Sequence, residues 1–183
     1  MERWLPTVIE LISKVLNTPL GSCSLSQINP QKRLNELEFY YPLSKITNSG
    51  LQAIFPDNSI SNIDSVRGFM KGYIDMVFEY EGKYYVVDYK SNMLGNQQAD
   101  YHWQELYKVM VREDYILQYH IYSVALHRYL AYRLPDYNYA THFGGVYYLF
   151  LRGMQWDSEY GIYWDRPNIK LIQKLSDYFA GGV

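Results

Sequence analysis

The sequence predicts an α/β protein whose core elements run helix, three strands, helix, strand, helix. Three stretches predict it. Residues 68–91 hold two runs rich in Tyr, Val, Phe and Ile around Glu81-Gly82, the mark of a β-hairpin. Residues 114–133, DYILQYHIYSVALHRYLAYR, carry Ile116, Leu117, Ile121, Val124, Ala125 and Leu130 at helical spacing. GGVYYLFL, residues 144–151, reads as a buried strand after a Gly-Gly break.

The remaining elements follow in chain order. Residues 2–16 form an amphipathic helix, with Pro6 tolerated in its first turn. Residues 17–33 are a loop, and ELEFYYPL, residues 36–43, is a strand ended by Pro42. Residues 44–66, rich in Ser, Asn and Ile, show no clean period and read as a long surface insertion with a helical turn near Leu51–Phe55. A polar loop around Gly95 leads to a helix over 99–112. Pro135 closes the helix of 114–133, and a last helix over 168–180 has Asn168 as N-cap and Gly181 after its end. No internal repeat or low-complexity tract is visible.

The hairpin carries the chemistry. A two-residue loop makes Tyr80 face Lys83, Phe78 face Tyr85 and Asp75 face Asp88. A four-residue loop keeps that register and a three-residue loop breaks it. In the favoured register the two Asp side chains share a face, with Cβ atoms roughly 5 Å apart. Two bare carboxylates so close repel, and a hard divalent cation removes the conflict. Lys90 lies two residues beyond Asp88 and on the same face. Two acids and one ammonium suit metal holding, water activation and phosphodiester cleavage. The bland alternative is a solvated hairpin face with an incidental Asp-x-Lys. VVDYK argues against it, because a buried Asp needs a partner or a ligand.

Other candidates weigh less. Gln118 and Tyr122 share a helix face, either over the carboxylate edge or packed within the core. Glu36 and Glu38 share one side of the first strand, as further acids or as an exposed edge. His102, His120, His127 and His142 show no common metal-ligand spacing. Lys71, Lys83, Arg112, Arg128 and Arg152 are scattered cations that either contact phosphates or are simply solvated. Cys23 has no partner that would activate it.

Composition sets the bounds. The 183 residues suffice for one domain, with 48% hydrophobic and 20% charged residues. A formal net charge of −2 argues against tight autonomous nucleic-acid binding, though not against a nuclease module fed by a larger assembly. The single cysteine excludes an internal disulfide and a Cys-based zinc site and points to a reducing, intracellular setting. No apolar run is long enough to span a membrane, and no P-loop is present. The 21 tyrosines fit half-buried strands or a flat surface for bases.

GFMKGYIDMVFEYEGKYYVVDYKSN, followed by LQYHIYSVALHRYL and HFGGVYYLFLRG, closely resembles the C-terminal nuclease domain of the RecB family. That family is the beta subunit of exodeoxyribonuclease V, the bacterial RecBCD helicase–nuclease. The resemblance covers most of the chain, including ELEFYYPL near the start and GIYWDRPN near the end. It implies a restriction-endonuclease-like PD-(D/E)XK fold, a mixed central sheet flanked by helices. It implies Asp75 in a G-x-x-D motif as a metal ligand, with Asp88 and Lys90 as the ligand and catalytic lysine of a D-Y-K motif. It also implies a ligand in the main-chain carbonyl of Tyr89, and Gln118 and Tyr122 as a Q-x-x-x-Y motif. The implied cofactor is Mg²⁺, with Mn²⁺ or Ca²⁺ as substitutes.

The implied partners are DNA, RecC-like and RecD-like subunits and RecA, in the cytoplasm, in double-strand break repair and recombination. One feature departs from the pattern. The family's metal-binding histidine precedes the matched region, and none of the four histidines here aligns with it. The expectation is therefore a fragment without the upstream helicase domains and that histidine segment. Such a fragment acts either as an Mg²⁺-dependent exodeoxyribonuclease or as a catalytically impaired interaction module. A third reading is a tyrosine platform that binds nucleic acid without cutting it.

Overall fold

The structure, a computed structural model, describes residues 4–55 and 64–182. Residues 2 and 3 of the first expected helix, and 56–63 of the expected insertion, lie outside the described residues. The order is α1 (Leu5–Asn17), β1 (Arg33–Ile46), α2 (Asn48–Ile54), β2 (Val66–Tyr80), β3 (Lys83–Lys90), α3 (Trp103–Arg112), α4 (Tyr115–Arg133), α5 (Tyr139–His142), β4 (Phe143–Phe150), β5 (Ile162–Asp165) and α6 (Ile169–Ala180). The strands form one five-stranded sheet in the order β1-β2-β3-β4-β5. β3 and β4 are parallel and the other pairs are antiparallel. The sheet is therefore mixed and flanked by helices, consistent with a restriction-endonuclease-like fold. The parallel pair follows from the connection: α3 and α4 carry the chain back before β4 begins.

Several boundaries differ from the sequence expectation. Pro42 does not end the first strand, which continues to Ile46 with Pro42 opposite Phe69. β1 lies at the sheet edge, where a residue without an N–H costs no ladder bond on its outer side. The expected insertion is partly core. Its helix α2 buries Leu51 and Ile54, and Phe55 follows them inward. β5 was not foreseen at all. Gly144 and Gly145 lie inside β4 as a bulge, where the pairing passes from Tyr84↔Phe143 to Tyr85↔Gly145. The last helix matches expectation, since Asn168 accepts from the Lys170 N–H at 2.8 Å and Gly181 takes the left-handed conformation.

Two apolar clusters face each other across the sheet. The larger joins α2, α4 and α6 to one side, through Val124, Leu126, Leu130, Ile172 and Phe179. The smaller holds Val15, Leu20, Leu25 and Ile28 against Met76, Phe78 and Val87. Cys23 is buried in it as a small hydrophobe.

His120 is buried in the larger core, beside the rings of Tyr119 and Phe55. Burial lowers its pKa to about 4, against the pull of its bond to the Ile116 carbonyl. The unfolded chain protonates this ring near pH 6.5. Its stability contribution is therefore whole above about pH 6.5 and is lost as pH falls towards 4, an effect of about 3 kcal/mol. Urea midpoints measured over that range should fall for the wild type and fall less steeply for His120→Phe.

Candidate functional site

The site grows out of the β2–β3 hairpin. Glu81 and Gly82 both have positive φ, 49° and 77°, as a type I′ turn requires. The turn sets Tyr80 opposite Lys83, and the ladder runs on through Phe78↔Tyr85 to Met76↔Val87. There β2 leaves β3. The Asp75 carboxylate takes over as acceptor for the Tyr89 N–H, at 2.8 Å. A donor that the ladder would have paired is thus paired by a side chain.

The departure has a structural cause. Ile74 and Val77 both lie in the larger core, while Met76 and Phe78 lie in the smaller one. Strict alternation would put Ile74 with Met76, so β2 switches faces at Asp75. β1 switches with it. Leu37 packs on the larger core, yet Leu34 lines a cavity with Val77, Leu126 and Leu130 on that same side. Glu36, between them, has φ 52°. The register does not slip, since Asn35↔Met76 and Leu37↔Ile74 bracket the kink. Glu36 therefore stands across from Asp75, exposed, whereas Glu38 is engaged elsewhere by Lys71 at 2.9 Å and Tyr73 at 3.2 Å.

Asp88 and Lys90 point from β3 towards α4. Asp88 is 4% exposed and Lys90 9%. The Lys90 ammonium lies 2.7 Å from Asp88 Oδ2 and donates to Gln118 Oε1 at 3.1 Å. It also sits 3.7 Å from the centre of the Tyr115 ring. Gln118 is fixed at both ends: its carbonyl also accepts from the Tyr148 hydroxyl at 2.9 Å, and its amide donates to Tyr122 at 3.0 Å. The i, i+4 spacing of Gln118 and Tyr122 accordingly brings both to the carboxylate edge.

Electrostatics tie Asp75 to the same group. Burial pushes the Asp88 carboxyl above its usual range; the Lys90 bond and charge oppose this, and the Asp75 charge adds to it. Burial, then Asp88 and Asp75, hold the Tyr122 hydroxyl above its usual range. Tyr148 feels both carboxylates as well. The two acids thus share one field, beside a single ammonium.

Tyr115 and Tyr148 are the site residues that the sequence reading missed. Tyr115 stands one turn before Gln118, so helical spacing carried a signal for it. Tyr148 carried none, because its place follows from the parallel pairing Asp88↔Tyr148. The other candidates lie elsewhere. His127 meets Tyr137, His142 meets Asn138, His102 meets the Tyr160 ring, and Arg128 binds Ser176 over the Tyr41 ring. Arg112 pairs with Glu113, Lys83 is exposed at the turn, and Arg152 caps the Ser91 carbonyl at 2.9 Å. Among the described residues no group of three or more His, Cys, Asp or Glu is arranged to hold a metal ion. Asp75, Asp88 and the Tyr89 main-chain carbonyl would offer hard oxygens of the kind Mg²⁺ accepts, because that ion keeps several of its waters. Burial is the main cause of the rise in Asp88, and the smaller push from Asp75 is a repulsion that such a cation would relieve.

Comparison with known proteins finds relatives along nearly the whole chain. The chain is 43% identical over 196 residues to RecBCD enzyme subunit RecB of Escherichia coli (strain K12), a match that covers 98% of this chain and 16% of that protein. It is 39% identical over 178 residues to the same subunit of Haemophilus influenzae, covering 92% and 15%. For Mycobacterium tuberculosis (strain ATCC 25618 / H37Rv) the figures are 33% over 217 residues, 97% and 20%. No protein-family model matches the chain. The chain spans about a sixth of the length of the curated relatives it matches. Identity of 33–43% along nearly all of its residues places the chain in the RecB family, as the counterpart of one segment of that subunit.

Proposed function

We propose that the chain is a Mg²⁺-dependent exodeoxyribonuclease module of a RecBCD-type helicase–nuclease, cleaving DNA phosphodiester bonds in double-strand break repair and recombination. One observation carries the proposal: a buried Asp88–Lys90 pair lies in the field of a second carboxylate, Asp75, and is held by Gln118 on α4. Asp75, Asp88 and the Tyr89 carbonyl would hold the ion. A bound Mg²⁺ would polarise the scissile phosphate and lower the pKa of its water. Lys90 supplies a fixed positive charge where the phosphate gains negative charge. Gln118 keeps that ammonium in place, and Tyr122 in turn accepts from the Gln118 amide. Asp88 and Lys90 are nearly enclosed, so their fields act with little screening by water.

The relatives are by name subunits of the RecBCD enzyme. RecC-like and RecD-like subunits are accordingly the proposed protein partners, with DNA as substrate, and RecA is proposed on the sequence resemblance alone. No described helix is long and apolar enough to cross a membrane. The test is linear DNA incubated with the purified chain in Mg²⁺ and in EDTA. Degradation is expected in Mg²⁺ alone, and equal digestion in both would sink the proposal.

A second reading is a catalytically impaired segment that serves as a protein or DNA interaction module. That no group of three or more His, Cys, Asp or Glu among the described residues is arranged to hold a metal ion favours it. Calorimetric titration separates the two, since no heat of binding at millimolar Mg²⁺ or Mn²⁺ selects the module.

A further inference from the structure

Beyond Asp75, the β1–β2 pair extends as an arm with one uncovered face. Its inner face carries Phe39, Tyr41 and Leu43, which pack on the larger core. Its outer face carries Tyr40, Phe69 and Tyr73, exposed to 61%, 63% and 48%. Tyr40 and Phe69 are diagonal neighbours across the pair, since Tyr40 faces Lys71 and Pro42 faces Phe69. Their rings stack with centroids 4.9 Å apart and planes within 8°. Lys71 stands beside them, 5.4 Å from the centre of the Tyr73 ring. These are three large aromatic side chains left in water on one strand pair.

We infer that this outer face binds single-stranded DNA, with bases stacking on Tyr40, Phe69 and Tyr73. The inference rests on the nuclease reading above and adds to it where the substrate strand lies. Flat, half-solvated aromatic rings suit a base face and tolerate any sequence. Charge agrees. Residues 37–46 and 66–74 hold Lys45, Arg67 and Lys71 against the single acid Glu38, on a chain of net charge −2. A polyanion would meet a locally positive arm. Continuity agrees as well. Phe69, Lys71 and Tyr73 follow at two-residue steps along one face of β2 and end two residues short of Asp75, where the strand switches faces. Bases inside a duplex are already stacked on one another and present no free face, so the partner is a single strand.

The test is fluorescence anisotropy of labelled oligodeoxythymidylate of about twenty nucleotides, longer than the footprint of a single stacking module. EDTA is present throughout, so nothing is cut. Tyr40→Ala/Phe69→Ala is expected to weaken binding at least about tenfold. Tyr40→Phe/Phe69→Tyr, which keeps both rings, is expected to bind within about twofold of wild type. A blunt duplex of equal length should bind more weakly than the single strand. Both rings are exposed, so thermal melting of the Ala variant should match wild type. Equal affinity of the Ala variant and wild type, or equal affinity for duplex and single strand, overturns the inference. The hydrolytic reading is assayed with Mg²⁺ present, so the failure of one leaves the other readable.

Discussion

Replacing Lys90 with Met is expected to slow Mg²⁺-dependent cleavage by about 10²–10³-fold, the usual effect of deleting one preorganised group that meets developing charge. The same change is expected to lower stability by about 3–5 kcal/mol, because it leaves a buried carboxylate without its partner. Asp88 is 4% exposed, and its nearest cation would be gone while the Asp75 charge remained. Urea denaturation and a cleavage assay on one preparation separate the two effects. Adding Asp88→Asn to Lys90→Met should recover part of the lost stability, since no buried charge is then left uncompensated. It should recover no activity. Recovery of activity by the double variant would show that the pair serves the fold alone.

Gly145→Ala is expected to be the most damaging conservative change outside the site. Gly145 has φ 125°, a conformation side chains rarely adopt. A Cβ there would stand 2.7 Å from the Asp165 carbonyl and 2.8 Å from Trp164 Nε1. Strain costs about 1–3 kcal/mol, and forcing β5 aside costs about as much again. A loss of roughly 2–6 kcal/mol by urea denaturation is therefore expected. Displacing β5 would also strain the 2.7 Å bond from the Tyr119 hydroxyl to Asp165. Gly82→Asn makes the contrast: its φ of 77° suits Asn and nothing lies within 4 Å, so stability should change by less than about 1 kcal/mol.

Local features of the fold are legible in the sequence. The hairpin was legible as far as Met76↔Val87, because turn chemistry and two-residue periodicity are local signals, but the expected pairing of Asp75 with Asp88 lies past the point where β2 leaves β3 and does not form. The long helix α4 and its Gln118–Tyr122 pair were legible for the same reason, since one period governs 19 residues. Non-local features were not. β5 is four residues long, and only its pairing with β4 defines it. Pro42 reads as a strand end until the strand is known to lie at an edge. Tyr148 reaches Gln118 only because β3 and β4 run parallel, which no window of sequence announces. The kink at Asp75 and Glu36 was hidden for a further reason: Glu is not a residue that signals positive φ.

That kink gives Asp75 two employments at once. Its Oδ2 closes a main-chain bond at the point where two strands part, while its charge is felt at Asp88. Cutting the side chain back to Ala removes both, so an inactive Asp75→Ala protein would confuse a loosened strand with a lost anion. Asp75→Asn keeps an oxygen for the Tyr89 amide and discards only the charge, which makes it the substitution that reports on chemistry alone.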